Sequence, residues 1–260
     1  MKKTAIIIPC YNEAHRLRPR EYIKYAQENT GVSFVFVNDG STDGTQSIIN
    51  EIFNASPPQI QCVKLQKNCG KAMAIYQGVL KAMEMDFENI GYWDADLSTP
   101  LSSINRLCRV LDNPRVTIVM GSRVKLLGRK IERMMLRHYL GRVFATLASM
   151  LLELPVYDTQ CGAKIFKNNF ELKKAFARPF SVRWTFDVEL LARLKIIKRI
   201  YRKPLIEASA VEYPLEEWTH MPGSKIKIRN LFSISLEFFK LALLLHAPGI
   251  SHGYGKQFKT

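Results

Sequence analysis

The stretch SFVFVNDGSTDGTQSIINEIFN, residues 33–54, sets an apolar run, a polar turn and a helical pattern one after another. The run of residues 33–38 is short, continuous and rich in β-branched and aromatic side chains, which is typical of a strand covered on both faces. The segment after it has apolar residues at helical spacing, and Asp43 stands where a helix N-cap is favoured. The stretch therefore predicts a strand followed by a helix.

The same order recurs through the first half of the chain. Four more apolar runs have the length and composition of strands: residues 4–9, 61–66, 89–94 and 116–121. A helical pattern, KAMAIYQGVLKAMEM at residues 71–85, lies between two of them. Alternating strands and helices predict an α/β fold with a mostly parallel sheet. Ligands of such sheets bind beyond the carboxyl ends of the strands.

The balance of charge indicates a polyanionic partner. The chain has 38 Lys and Arg against 23 Asp and Glu, a formal net charge of +15. Nucleic acid, anionic lipid and a phosphorylated small molecule all fit this charge. No aromatic RNA-binding strand, helix-turn-helix pattern or Lys/Arg block stands out, so we do not expect nucleic acid. The five cysteines lack metal-binding or disulfide spacing, which fits a reducing compartment.

Two acids, Asp94 and Asp96, stand at the end of an apolar run in this basic chain. A turn after a strand often carries Asp for local hydrogen bonding alone. Two carboxylates on alternate residues can instead hold Mg²⁺ or Mn²⁺ together with diphosphate oxygens. In that arrangement the acids bind the metal, the metal binds a diphosphate, and the surrounding Lys and Arg side chains bind other phosphates.

Five segments follow one another along the first half of the chain: IIIPCYNE (6–13), VNDGSTDGT (37–45), NCGKAMAIYQG (68–78), WDADLSTP (93–100) and GSR (121–123). Together with three later segments, they resemble the inverting family 2 glycosyltransferases, which have a GT-A fold. The three later segments, DTQCGAKIF (158–166), RWTFDVELLARL (183–194) and EWTHMPGSKI (217–226), resemble the branch that makes dolichyl-phosphate glucose and dolichyl-phosphate mannose. The Asp of FDVE and the W…GSK element are closer to the glucosyl enzymes.

The resemblance implies a site for a nucleotide-sugar donor and a metal. The residues that it assigns to the donor are Pro9, Tyr11, Asn12, Glu13, Asp39, Lys71, Asp94 and Ala95. Asp39 would bond the base or ribose, and Lys71 would approach the phosphates at a helix start. A turn acid and a solvated lysine are the plainer alternatives for these two. Mg²⁺ or Mn²⁺ would be held by Asp96 and Asp94, with Ser98 as a further ligand.

The resemblance also implies the chemistry: Asp96, Arg123 and Asp187 are the expected catalytic residues. A lipid phosphate is already ionised at neutral pH, so as acceptor it needs no general base. It does need cations and donors nearby, and the expected set is Arg123, Arg133, Arg137, Gln160 and Lys164. For the arginines, a solvated basic helix face is the alternative.

Three functions remain open at this point. The favoured one transfers a hexose, glucose from UDP-glucose, to a polyprenyl or dolichyl phosphate. A second transfers the hexose to a hydroxyl group of a glycan or glycolipid, with Asp187 as general base. A third is a non-catalytic basic protein that binds nucleotides or membranes.

Membrane contact is expected near the C-terminus. Residues 1–226 are predicted to form the GT-A domain, residues 227–250 an amphipathic helix and residues 251–260 a flexible tail. The apolar segment of residues 231–250 is interrupted by Glu237 and Lys240, so it is not expected to span a membrane. Beside basic residues, such a helix can lie in an anionic membrane interface or pack on the catalytic domain. We therefore expect a cytoplasmic protein that binds peripherally to the cytoplasmic face of a membrane.

Overall fold

A mostly parallel sheet forms the centre of the protein. The computed structural model describes residues 2–55, 58–132, 135–221, 230–247 and 250–259, without the side chains of residues 135–140, 230–231 and 250–252. The strands are β1 (Thr4–Cys10), β2 (Val32–Asp39), β3 (Ile60–Leu65), β4 (Asn89–Tyr92), β5 (Ile118–Ser122), β6 (Lys130–Ile131), β7 (Lys164–Lys167), β8 (Ala210–Pro214) and β9 (Glu217–Trp218). Within the described residues, seven of them make one sheet in the order β3-β2-β1-β4-β7-β5-β8.

Helices follow most of the strands. They are α1 (Pro19–Glu28), α2 (Thr45–Ala55), α3 (Lys71–Met83), α4 (Ser102–Leu111), α5 (Met135–Leu152), α6 (Phe170–Ala175), α7 (Phe186–Ile200), α8 (Ile206–Ser209), α9 (Asn230–His246) and α10 (Ile250–Lys256). This α/β order confirms the predicted fold class. Each of the five predicted apolar runs overlaps one of the strands β1 to β5.

The sheet is parallel except at β7. Strand β1 pairs in parallel with β2 and β4, and β5 pairs in parallel with β8. Strand β7 lies antiparallel between β4 and β5. This insertion brings the end of β4 beside the loop that precedes β7, so residues about 70 positions apart in the chain share one edge of the sheet.

Both faces of the sheet are buried, as the continuous apolar runs predict. In β1, Ile7 packs with Val35 and α3, while Ile6 and Ile8 point into a second core on the opposite face. Successive side chains of a strand point to opposite faces, so β1 contributes to both cores.

The helix start at Asp43 differs slightly from the prediction. Helix α2 begins at Thr45, and Oδ1 of Asp43 accepts hydrogen bonds from the amide (3.0 Å) and hydroxyl (2.5 Å) of Thr45. Its Oδ2 accepts from the amide of Ala14 at 3.1 Å. Asp43 therefore orders the start of α2 and also fixes the loop after β1. These hydrogen bonds hold the pKa of Asp43 below its ordinary value, although its slight burial acts in the opposite direction.

The chain end, predicted as a flexible tail at residues 251–260, contains helix α10 and packs on the domain within the described residues. Tyr254 and Phe258 are buried, and their rings lie 5.5 Å apart. Tyr254 donates a hydrogen bond to Glu189, and Tyr201 donates one to the carbonyl of Phe258. Two aromatic side chains that pack onto α7 supply the burial that a free tail lacks. The predicted boundary at residue 226 lies outside the described residues.

Helices α5 and α9 pack together near the C-terminus. The rings of Phe144 and Phe238 meet edge to face at 4.8 Å, and Leu241 is fully buried. Their outer sides carry exposed apolar residues, described below. Within the described residues, no helix is both long enough and apolar enough to cross a membrane.

Candidate active site at the carboxyl ends of the strands

The loop after β4 is a tightly bonded turn that carries the two acids. The indole of Trp93 is buried and donates to the carbonyl of Thr99 at 2.8 Å. Oδ1 of Asp96 accepts from the amide (3.0 Å) and hydroxyl (2.5 Å) of Ser98. Leu97, between Asp96 and Ser98, adopts a left-handed conformation with φ of 56°, which costs energy for a side chain of this size.

Asp94 faces a cation from the start of α3. Oδ1 of Asp94 accepts a hydrogen bond of 2.6 Å from Nζ of Lys71, the first residue of that helix. Burial raises the pKa of Asp94, but the positive charges of Lys71 and Arg123 outweigh burial and hold the pKa below its ordinary value. Burial likewise lowers the pKa of Lys71, and the charge of Asp94 more than reverses this. Both groups are therefore charged at neutral pH.

Gly162 leaves the space that Asp94 occupies. A Cβ atom at Gly162 would overlap the carboxylate of Asp94, so no other residue fits beside it without displacement. The loop before β7 thus approaches the loop after β4 closely enough to enclose one side of the acid.

The two acids fit a metal that arrives with its substrate. Asp94 and Asp96 offer hard carboxylate oxygens, and their side chains are 35% and 20% exposed. Among the described residues, no group of three or more His, Cys, Asp or Glu side chains is arranged to hold a metal ion. Mg²⁺ is commonly bound by one or two carboxylates together with substrate phosphates. The residues present suit that mode rather than a closed protein site.

Asp187 forms a buried ion pair. Its Oδ1 accepts a hydrogen bond of 2.6 Å from Nζ of Lys164 and one of 2.5 Å from the hydroxyl of Tyr92. Lys164 also donates to the carbonyl of Cys161 at 2.5 Å. Burial and the neighbouring charge of Asp187 raise the pKa of Tyr92 well above its ordinary value, so the phenol stays a proton donor. The ion pair connects β7 to the first turn of α7.

Arg123 is held in a fixed orientation at the end of β5. Its Nε and Nη2 donate to the two carboxylate oxygens of Asp158 at 2.7 and 2.8 Å, a bidentate pair. The guanidinium lies 5.5 Å from the centre of the Trp218 ring. The charge of Asp158 outweighs burial and raises the pKa of Arg123 further above its ordinary value.

The loop before α3 is organised by Asp39. Oδ1 of Asp39 accepts from the amide of Cys69 at 2.7 Å, and Oδ2 accepts from the amide of Gly70 (2.8 Å) and the side chain of Asn68 (3.0 Å). Asp39 therefore positions the segment that presents Lys71. Both carboxylate oxygens of Asp39 are therefore hydrogen-bonded to this loop.

The remaining donor-side residues surround the ends of β1 and β4. Oδ1 of Asn12, which has φ of 49°, accepts from the amide of Thr42, and Oε1 of Glu13 pairs with Arg16 at 2.6 Å. Ala95 is buried and its carbonyl accepts from Tyr22. Pro9 and Tyr11 are partly exposed at the same edge.

The acceptor-side set is described in part. The backbone amide of Gln160 donates to Asp158 at 3.3 Å, and its side-chain nitrogen is buried without a hydrogen-bond partner in the described part of the chain. Lys164 is paired with Asp187. The side chains of Arg133 and Arg137 lie outside the described residues.

Sequence reasoning missed three groups that shape the site. Tyr92, Gly162 and Glu237, whose contacts are given below, each act through a partner that is distant in the chain. Tyr92 falls inside a predicted strand, and the sequence carries no local signal for its bond to Asp187.

Comparisons with known proteins agree with this arrangement. The family model described as "Glycosyl transferase family 2" matches residues 5–172. Dolichyl-phosphate beta-glucosyltransferase ALG5C of Trichomonas vaginalis is 31% identical over 257 residues, which cover 94% of this chain and 72% of that protein. The dolichyl-phosphate beta-glucosyltransferase of Saccharomyces cerevisiae is 31% identical over 245 residues, covering 86% and 69%.

Solved structures share the fold. Glucosyl-3-phosphoglycerate synthase from Mycobacterium tuberculosis, in complex with Mn²⁺ and UDP-glucose, superposes with a TM-score of 0.64 at 17% identity and covers 93% of this chain and 78% of that one. The mannosyltransferase PcManGT from Pyrobaculum calidifontis, with GDP-Man and Mn²⁺, gives a TM-score of 0.54 at 16% identity, covering 99% and 74%. These neighbours are GT-A glycosyltransferases, which confirms the predicted GT-A fold. Since the family model matches more than half of the chain, the protein belongs to glycosyl transferase family 2 and is a glycosyltransferase.

Proposed function

We propose that this enzyme transfers glucose from UDP-glucose to the phosphate of a polyprenyl phosphate such as dolichyl phosphate, with inversion at the anomeric carbon. Relatives that align over most of the chain carry the name dolichyl-phosphate beta-glucosyltransferase. A structural neighbour binds Mn²⁺ and UDP-glucose. These two facts support the acceptor and the donor.

The choice between a phosphate and a hydroxyl acceptor rests on the hydrogen bonds that Asp187 makes. Its Oδ1 already accepts from Lys164 and Tyr92 in a buried setting, so the protein engages this oxygen and only Oδ2 is left to meet a substrate hydroxyl. A hydroxyl acceptor needs a base to take its proton. A phosphate acceptor is ionised at neutral pH and needs none. The ion pair therefore favours the phosphate acceptor over the hydroxyl acceptor.

On the donor side, positive charge gathers where the diphosphate would lie. Lys71 and the N-terminal end of α3 stand beside Asp94, and backbone N–H groups at a helix start favour anions. Asp94 and Asp96 would hold Mg²⁺ or Mn²⁺, with Ser98 keeping Asp96 in place or adding its hydroxyl. The metal, when bound, would neutralise charge that develops on the departing diphosphate.

Further donor contacts follow from the same edge of the sheet. We assign Pro9, Tyr11, Asn12, Glu13 and Ala95 to the walls of the nucleoside pocket. Asp39 would act there mainly by ordering the loop that presents Lys71, since both of its carboxylate oxygens bond that loop.

On the acceptor side, Arg123 and Gln160 are the groups best suited to hold the lipid phosphate. Arg123 is charged and oriented by Asp158, and Gln160 has a buried amide nitrogen that can donate to a phosphate oxygen. We assign Lys164 to positioning Asp187, because its ammonium group is already bonded there and to Cys161. Arg133 and Arg137 remain candidates on the sequence alone.

The proposed reaction needs no proton transfer to an enzyme base. An oxygen of the acceptor phosphate attacks the anomeric carbon from the face opposite UDP, and a new carbon–oxygen bond forms. The bond from that carbon to the diphosphate breaks, and its electron pair leaves with UDP. Fixed cations on both sides offset the repulsion between the two phosphorylated substrates.

We further propose that the enzyme works at the cytoplasmic face of a membrane. Helices α5 and α9 expose large apolar side chains spaced three and four residues apart, which places each set on one side of its helix. We call them the α5–α9 apolar face: Val143, Leu147, Met150, Phe232, Leu236, Phe239 and Leu243. A lipid acceptor and the net charge of +15 suit a protein that rests on an anionic bilayer.

The test is transfer of radiolabelled hexose in detergent. UDP-glucose and GDP-mannose are offered in parallel, with polyprenyl phosphate or the matching polyprenol as acceptor and with Mn²⁺ or EDTA. We expect label in the lipid fraction only with UDP-glucose, polyprenyl phosphate and Mn²⁺ together. Labelling of the polyprenol instead would make the hydroxyl acceptor correct.

A further inference from the structure

The segment of residues 181–185 joins the two sides of the site and is held by α9. It lies immediately before α7, whose N-cap is Thr185 and whose first turn carries Asp187. It also contains Arg183, which reaches the loop before α3. The anchor of this segment is Glu237 on α9, a residue that no motif points to.

The carboxylate of Glu237 accepts hydrogen bonds from the backbone amides of three successive residues. Oε1 accepts from the amide of Arg183 at 3.0 Å. Oε2 accepts from the amides of Trp184 and Thr185, each at 2.9 Å, and from the hydroxyl of Thr185 at 2.9 Å. Lys240, three residues along α9, donates to the carbonyl of Ser181 at 2.6 Å. A negative charge at the start of α7 is also favourable for the helix dipole.

From this anchor, the side chain of Arg183 crosses to the donor side. Its Nη2 donates to Oδ1 of Asn68 at 2.5 Å. It lies directly over Gly70, where a Cβ atom would overlap Nε of Arg183. Asn68 and Gly70 are the residues that Asp39 holds in front of Lys71.

We propose that Glu237 is a positioning residue for the transfer reaction. By fixing residues 183–185, it sets both the loop of residues 68–70 that presents Lys71 and the first turn of α7 that presents Asp187. This inference rests on the proposed function for the roles of Lys71 and Asp187. It adds that one carboxylate on α9 fixes the position of the donor side relative to the acceptor side.

The experiment compares Glu237→Gln and Glu237→Ala in the full chain with Glu51→Gln. Glu51 is an exposed residue of α2, so its substitution removes the same charge at a distance. The measurements are the Kd for UDP in the presence of Mn²⁺, amide hydrogen exchange of residues 68–71 and 183–187, and KM and kcat for UDP-glucose. Glu237→Gln keeps the shape and one acceptor oxygen, so it remains informative where Glu237→Ala fails to fold.

For both Glu237 variants we expect UDP to bind about ten- to a hundredfold more weakly. Exchange should be faster in both segments, with the larger effects in Glu237→Ala, and Glu51→Gln should match the wild type. A purely structural role would lower the unfolding temperature but leave the Kd for UDP and the exchange of residues 68–71 unchanged, and that result would overturn the proposal.

Exchange of residues 68–71 needs no substrate, and UDP binding needs no acceptor. Absence of lipid-phosphate transfer in the wild type would therefore contradict the proposed function while leaving this test of Glu237 intact.

Discussion

Lys164 and Asp187 form an ion pair whose side chains are only 1% and 5% exposed, with Nζ and Oδ1 separated by 2.6 Å. The pair links an antiparallel strand to the start of α7, and Tyr92 from the neighbouring strand bonds the same oxygen. Removing one partner from a buried pair leaves a charge without compensation. Asp187 is therefore held in one orientation by its neighbours, unlike a general base whose carboxylate is free to accept a proton.

Asp187→Asn should lower kcat by about ten- to a hundredfold, because the amide oxygen can still accept from Lys164 and Tyr92 but the local charge is lost. The shape of the pH–rate profile should be retained. Steady-state kinetics with polyprenyl phosphate would measure both. Nearly full activity of the variant would show that Asp187 does not act at the reaction centre. Loss of the acid limb of the pH–rate profile would instead identify Asp187 as the base.

Gly162→Ala should sharply reduce transfer and weaken binding of UDP with Mn²⁺, because the new methyl group would displace the carboxylate of Asp94. Calorimetry with UDP and Mn²⁺ reports the effect directly. Gly253→Ala is the matched control, since a Cβ atom there meets nothing within 4 Å. Equal UDP affinity and equal transfer in the two variants would show that the position of Asp94 does not require the absence of a side chain at residue 162.

Mn²⁺ and UDP should each strengthen binding of the other by at least about tenfold. Asp94 and Asp96 supply too few ligands for tight binding of the metal alone, so the diphosphate must complete its coordination. Titration of Mn²⁺ with and without UDP measures this coupling. Asp96→Asn should abolish it, and Asp86→Asn, at a fully exposed position, should not. Independent binding of the two ligands would argue against a shared site.

Lys71→Met should move the acid limb of the kcat/KM profile to higher pH. Burial raises the pKa of Asp94, and Lys71 lowers it more than Arg123 and Lys164 do, so removal of Lys71 should raise this pKa. The ion pair also contributes stability that is present above the ordinary pKa of Asp and is lost as the pH falls through the lower folded-state value. Rates from about pH 4 to pH 7 test this. Lys24→Met serves as control, and an unshifted limb would mean that Asp94 is not the titrating group.

Replacing Phe232 and Phe239 by Ser should weaken binding to vesicles of phosphatidylcholine and phosphatidylserine by at least about tenfold, since each buried Phe contributes roughly 1.5–3 kcal/mol. Co-sedimentation with vesicles measures the change. Leu127→Ser is the control, because Leu127 is fully exposed but lies outside the α5–α9 apolar face. Similar losses in control and variant would indicate nonspecific adsorption rather than this face.

The first half of the fold follows from local sequence patterns. The apolar runs predict β1 to β5 because strands buried on both faces must be continuously apolar. The position of Asp94 and Asp96 follows as well, since parallel strands end at one edge of the sheet. Family resemblance, rather than pattern, singled out Arg123 and Asp187.

The remainder depends on contacts between distant residues. Strand β7 is four residues long and bears a lysine at each end, so its sequence does not show that it inserts between β4 and β5. Tyr254 of α10 and Phe258 beyond its end pack on α7, which no local pattern reveals. Glu237 looks like an interruption of an apolar helix, and only the structure shows that it binds the backbone of residues 183–185.

The central claim is that glucose becomes bonded to a phosphate, and the linkage in the product tests it most directly. The product formed from UDP-glucose and polyprenyl phosphate would be isolated and examined by proton and phosphorus NMR. We predict a single product in which the anomeric carbon of β-glucose is joined to the lipid phosphate. Glucose attached to a hydroxyl group, or an α-linked phosphate, would contradict the account.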